Sequence, residues 1–160
     1  MSGTYTASIE DMQAWARGVM QVRQPDFVIG ENYMKRWWIV PRNDMSNVYL
    51  HWMNGDDDDR ALHDHPWANT SVILLGGYAE VTPSRTIDRK PGDVIHRAAE
   101  DSHRLFLYRD AAGKIIPSVS LFFTGPVERE WGFHCPKGWV PWRDFVDSRD
   151  TGKVGAGCGD

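Results

Sequence analysis

Short runs of aromatic and β-branched residues, broken by Pro/Gly or charged turns at about 8–12-residue spacing, constrain this chain most. Residues 33–40 (YMKRWWIV) stop at the turn signal Pro41-Arg42-Asn43-Asp44, and 47–53 (NVYLHWM) resume. Residues 62–65 and the apolar run 71–75 follow, the latter ending at Gly76-Gly77, with 78–82 beyond it. Further strands are predicted at 93–97, 103–109, 118–124 and 130–135. This rhythm points to an all-β sandwich or barrel.

One helix precedes the strands. Ser8 is placed to cap it, Glu10 and Asp11 sit in the first turn where the helix dipole favours acids, and Ile9, Met12, Trp15 and Ala16 recur at helical spacing. Its end is expected near Gly18. The organisation is therefore a helical segment over 1–24, a barrel over 25–148 and a flexible tail over 149–160, with fraying after Ser148 and 138–142 packed at the barrel mouth or on an outer face.

At 160 residues the chain suits one domain with a single core. A net charge of −4 without a Lys/Arg stripe argues against a nucleic-acid partner. No apolar run reaches a membrane span, and the N-terminus lacks the pattern of a secretory signal. Cys135 and Cys158 do not read as a disulfide framework, so a reducing cytoplasm is the expected setting.

His63-Asp64-His65 carries the functional signal. Side chains two apart on a strand share a face, so the two imidazoles project together. A third, His103, follows the Pro91-Gly92-Asp93 turn and fits a neighbouring antiparallel strand. Three such side chains form a candidate metal pocket inside the barrel. The rival reading is a set of polar histidines at strand ends, hydrogen-bonded to the Asp56–Asp59 acid loop.

These residues resemble the two-part signature of the cupin superfamily: His63-x-His65, Pro66-Trp67, a strand ending at Gly76, then Pro91-Gly92-Asp93 and His103. The stretches LHDHPW and REWGFHCPKGWVPW are also similar to short, mostly uncharacterised bacterial and phage cupins. The resemblance implies a double-stranded β-helix (jelly-roll barrel) with a central divalent metal on His63, His65 and His103. The family's usual glutamate ligand falls on Asn69, or on Thr70 if the turn is longer. Three neutral imidazoles would then leave the ion's charge uncompensated and favour an anionic or chelating small-molecule substrate. Glu80 restores a carboxylate only if it faces inward.

Three-histidine members of the family include thiol and diketone dioxygenases. The resemblance thus implies an iron(II) dioxygenase, with zinc, manganese or nickel as other metals. Its rivals are a metal-dependent isomerase or lyase on a sugar or keto acid, and a non-enzymatic binding cup. Such barrels often pair through an edge strand, so a homodimer through 33–40 is expected.

Around the trio, Asp59 and Arg60 are candidates to orient an imidazole or bind a substrate carboxylate. Arg97 and Arg104 are candidate substrate anchors or simply surface charges. His96 is read as a wall residue or a partner of a ligand, and His51 lines the pocket if its face looks inward. His134 and Cys135 point opposite ways and are expected to pack in a terminal strand, and Asp64 is read as structural. The acid run 56–59 lacks a calcium-loop pattern and is expected to be solvated.

Overall fold

The structure, a computed structural model, describes residues 6–58, 60–147 and 149–159, with only the backbone for 150–152 and 154. Helix α1 (Ile9–Val22) opens with a reciprocal cap: the Ser8 hydroxyl accepts from the Asp11 N–H at 3.1 Å, and the Asp11 carboxylate accepts from the Ser8 N–H at 3.2 Å. It runs one turn past Gly18, because Val19 and Met20 continue the apolar face made by Ile9, Met12 and Ala16. That burial offsets the roughly 1 kcal/mol cost of a helical glycine. Trp15, expected on the same stripe, is 40% exposed, since it lies about 100° round the helix from Ala16.

Among the described residues, fourteen strands follow in chain order. They are β1 (Phe27–Ile29), β2 (Met34–Trp38), β3 (Asn47–Met53), β4 (Leu62–His63), β5 (Asn69–Leu75), β6 (Tyr78–Val81) and β7 (Thr86–Arg89). Next come β8 (Val94–Arg97), β9 (Arg104–Leu107), β10 (Ser118–Thr124), β11 (Gly132–Cys135) and β12 (Gly138–Pro141). A short helix α2 (Trp142–Phe145) leads to β13 (Val146–Asp147) and β14 (Asp150–Val154).

One large antiparallel sheet has the order β1-β2-β3-β10-β5-β8. The opposing layer has two parts, β7-β6-β9 and β4-β11-β12, which meet at a bridge between His63 and His103. Side-chain alternation explains both cores. On one face of the large sheet Trp37, Leu50, Leu74, Val119 and Leu121 pack beneath α1. On the other, Met53, Ile73 and Ile95 meet Tyr78, Leu105 and Leu107 of the second layer. The chain crosses between layers at Gly76-Gly77, whose φ values are 69° and 127°. A Cβ at Gly76 would lie 2.2 Å from the Pro117 carbonyl oxygen, so only glycine fits that corner.

Three expectations are corrected. Strand β2 is not an edge: β1 pairs with it through Phe27–Arg36 and Ile29–Met34. Cys135 and Cys158, not read as a disulfide framework from the sequence, form a disulfide. The tail is built into the fold rather than frayed. β14 pairs with β13, the Gly157 N–H donates to the Phe145 carbonyl at 3.0 Å, and buried Phe145 stacks on Phe133 at 3.6 Å between ring centroids. The segment 138–142 supplies β12 on the outer edge of β11 and the start of α2. Among the described residues, no helix is long and apolar enough to cross a membrane.

Candidate metal centre

The backbone itself brings the three histidines together. His63 and His103 exchange two hydrogen bonds, at 2.8 and 2.9 Å, as opposed residues of an antiparallel bridge. Two residues on, the His65 N–H donates to the Ala99 carbonyl at 3.0 Å, holding the chain extended beside the same neighbour. All three imidazoles therefore leave on one side, with ring centroids 5.2, 4.9 and 5.0 Å apart. One nitrogen from each lies within 4.8 Å of the others, a grouping that could hold a metal ion.

Glu80 decides the chemistry of His103. It faces inward from β6, is 2% exposed, and accepts from His103 Nδ1 at 2.7 Å, Arg97 Nε at 2.8 Å and Arg89 Nε at 2.7 Å. Burial alone would raise its pKa, but the His103 hydrogen bond and the Arg97 charge hold it well below the usual carboxylate range. An ionised carboxylate accepts only, so Nδ1 carries a proton toward Glu80 and Nε2 is left to face the trio. Glu80 is thus spent on His103 and two arginines instead of joining the trio as a fourth ligand.

Asp57 lies beside His63, with Oδ2 3.8 Å from Nδ1, beyond hydrogen-bond length. It accepts the Leu105 N–H at 2.7 Å and the Tyr33 hydroxyl. Asp56, Asp57 and Asp58 are therefore not a solvated loop. Asp56 takes the Leu107 N–H and Arg109, and Asp58 takes Arg60. Asp59 lies outside the described residues. Arg60 binds Asp58 at 2.7 Å and lies 4.7 Å over the Phe145 ring.

Asn69, where the family motif has its glutamate, is buried with Oδ1 3.4 Å from Arg97 Nη1 and with Nδ2 unpartnered. Arg97 is not a surface charge: it is a buried partner of Glu80 that also lines the cavity. Arg104 is half-buried at the cavity rim, on the face of β9 opposite Leu105 and Leu107. His96 is exposed and bonded to Thr70 at 2.8 Å, so it is no wall residue. His51 does face inward, stacked on Phe122 at 4.9 Å. His134 is directed away from the trio to Asp64 at 2.9 Å. Fully buried Asp64 also takes the Gly132 N–H, Trp139 Nε1 and Arg129, which is a structural role.

The trio opens on a cavity of about 940 Å³ whose walls include Tyr33, Trp67, Tyr78, Phe122 and Trp131. Burial pushes the His63 pKa down to about 4 and that of His65 well below its ordinary value. Both rings are therefore neutral near pH 7, the form in which imidazole binds metal. The donor set fits a divalent ion, and the buried, unpartnered Nδ1 of His65 agrees with a site completed by a further group.

The depressed His63 value has a consequence for metal-free protein. Between pH 6.5 and about 4 the unfolded chain takes up a proton on this residue that the folded chain refuses. Stability should thus fall as pH drops through that window. Urea midpoints of chelator-treated protein at pH 7 and pH 4.5 check this, and equal midpoints contradict a buried neutral ring.

No protein-family model matches the chain, and no curated protein matches it. Solved structures do. A DMSP lyase, DddQ, from Ruegeria pomeroyi aligns at TM-score 0.56 and 17% identity, over 84% of this chain and 72% of that one. A protein described as a putative mannose-6-phosphate isomerase from Ralstonia eutropha aligns at 0.50 and 17%, over 64% and 93%. An uncharacterised Klebsiella pneumoniae protein with a double-stranded β-helix domain aligns at 0.51 and 15%, over 72% and 87%. These likenesses are of fold. The chain has a double-stranded β-helix fold, the architecture its motif implied.

Proposed function

We propose that this chain is a metal-dependent enzyme of small molecules, with His63, His65 and His103 holding one divalent transition metal. The observation that carries the reading is the convergence of three imidazoles with Glu80 locking the tautomer of His103. Such carboxylate–histidine pairs orient a ligand ring and raise its basicity. When bound, iron(II) would supply redox chemistry toward dioxygen and a Lewis acid for a chelating substrate, and zinc would supply the second alone.

The residues around the trio favour the dioxygenase reading over proton abstraction by a side chain. Among the described residues, the cavity carboxylates Asp56, Asp57 and Asp58 are each hydrogen-bonded already. His51 Nε2 is occupied by Arg36 at 2.8 Å. Burial raises both cavity tyrosines, Tyr78 to about 12, which makes them poor bases at neutral pH. The walls would position a small anionic or chelating substrate beside the ion and exclude water. An isomerase or lyase is the second reading, favoured by the names of two structures of the same fold.

Metal content of protein purified without a histidine tag tests the proposal. His103→Ala should lose at least about tenfold in bound metal, in line with removal of a first ligand, while His134→Ala keeps it. Equal loss in both variants overturns the ligand assignment. Iron with substrate-dependent oxygen uptake, measured with candidate thiols and β-diketones, supports the dioxygenase. Zinc or manganese without uptake supports the isomerase or lyase. Failure of the wild type to load any metal on reconstitution leaves a binding cup.

A further inference from the structure

Strand β2 alternates its side chains between the two faces of the large sheet. Trp37 goes beneath α1, so Arg36 turns into the cavity. There its Nε donates to His51 Nε2 at 2.8 Å, Nη2 lies 4.0 Å from Met34 Sδ, and the guanidinium carbon sits 4.6 Å over the Tyr49 ring. None of these neighbours brings negative charge. A histidine nitrogen that accepts a hydrogen bond belongs to a neutral ring.

Two other arginines of this cavity are compensated, while Arg104 stands half-buried at the rim. Arg97 has Glu80, and Arg60 has Asp58. Arg36 has no carboxylate within ion-pair distance among the described residues. A guanidinium drawn into an aromatic cavity without a counter-ion is costly unless something supplies one. Its forked donors match a carboxylate or phosphate.

The position is informative too. His51 stacks on Phe122, and Phe122 lies 6.3 Å from the His65 ring, so one aromatic wall connects Arg36 to the trio. His51 is the cross-strand partner of both Arg36 and Ser120, and all three line the cavity. We propose that Arg36, held by His51, is the anchor for an oxyanion group of the substrate, a carboxylate or a phosphate, while the substrate's other end reaches the three histidines. The assignment rests on the reading of this cavity as the substrate site, and it narrows the substrate to a small acid or phosphate ester.

Calorimetric titration of chelator-treated protein with inorganic phosphate, and separately with succinate, tests it without turnover. Wild type should bind at least one of them, and the one bound identifies the substrate's acidic group. Arg36→Gln should weaken that binding by about tenfold or more, the scale of one charge-assisted hydrogen bond. Arg36→Lys, which keeps the charge but not the fork, should fall between. Should Arg36→Gln not fold, Arg36→Lys with unchanged affinity overturns the proposal. It is also overturned by wild type that binds neither probe, by Arg36→Gln that binds as wild type does, or by loss in Arg104→Gln instead. Metal stoichiometry measured on the same preparations keeps the two readings apart: anion binding without metal loading sinks only the metal centre, and metal loading without anion binding sinks only the anchor.

Discussion

Glu80→Ala should lower the stability of this protein by about 3–5 kcal/mol, because it leaves buried charge without its partner. The carboxylate is 2% exposed and sits between Arg97, Arg89 and His103, so its removal strands two guanidiniums at one point. Glu80→Gln is the informative companion. It keeps the volume and one acceptor oxygen but removes the charge that fixes the proton on His103 Nδ1. Metal affinity should then fall by about 10–100-fold, the usual effect of losing such a partner. Urea unfolding and metal titration of both variants check the pair. Wild-type stability in the alanine variant would mean that the arginines find water or another acid.

Cys158→Ser should release the C-terminal strap. The bond closes a sequence separation of 23 residues, for which loop-closure entropy gives about 3 kcal/mol. The effect should be local. Phe145, stacked on Phe133, and Arg60 above it anchor the near end of the strap, whereas β14 is held by β13. Hydrogen exchange should therefore rise over 146–158 while the amides of β3 and β10 stay protected. Since Val146 and Lys153 line the cavity, anion titrations of this variant report whether the strap shapes the site. Unchanged exchange over the strap would show that packing alone holds it.

The strand rhythm in the sequence marks most of the fold because turn residues punctuate it physically. Residues 47–53 and 118–124 are strands at those bounds, both with apolar side chains on two buried faces. β7 escapes because Thr86-Ile87-Asp88-Arg89 has one apolar residue; it is held by a turn in which the Thr82 hydroxyl donates to the Arg85 carbonyl and accepts from the Arg85 N–H. The histidine trio is legible because residues two apart on an extended chain share a face. Its supporting groups are not. Glu80 and Arg97 can be placed only once β6 and β8 are in register, and a shift of one residue would have put His96 inside and Arg97 outside. Asp57 is hidden among identical neighbours, and nothing in its local sequence distinguishes it from Asp58. The Cys135–Cys158 pairing depends on a glycine-rich segment turning back, which composition alone reads as loose chain.

The layer facing the large sheet is really two three-stranded pieces, joined backbone to backbone at His63 and His103. Any ion gripped by those two rings would sit on the seam and act as a rivet across it. Occupancy would then stabilise the joint in proportion to the logarithm of free metal concentration over the dissociation constant, once that ratio is large. A cell that starves such a protein of metal would be loosening a sheet as well as emptying a site.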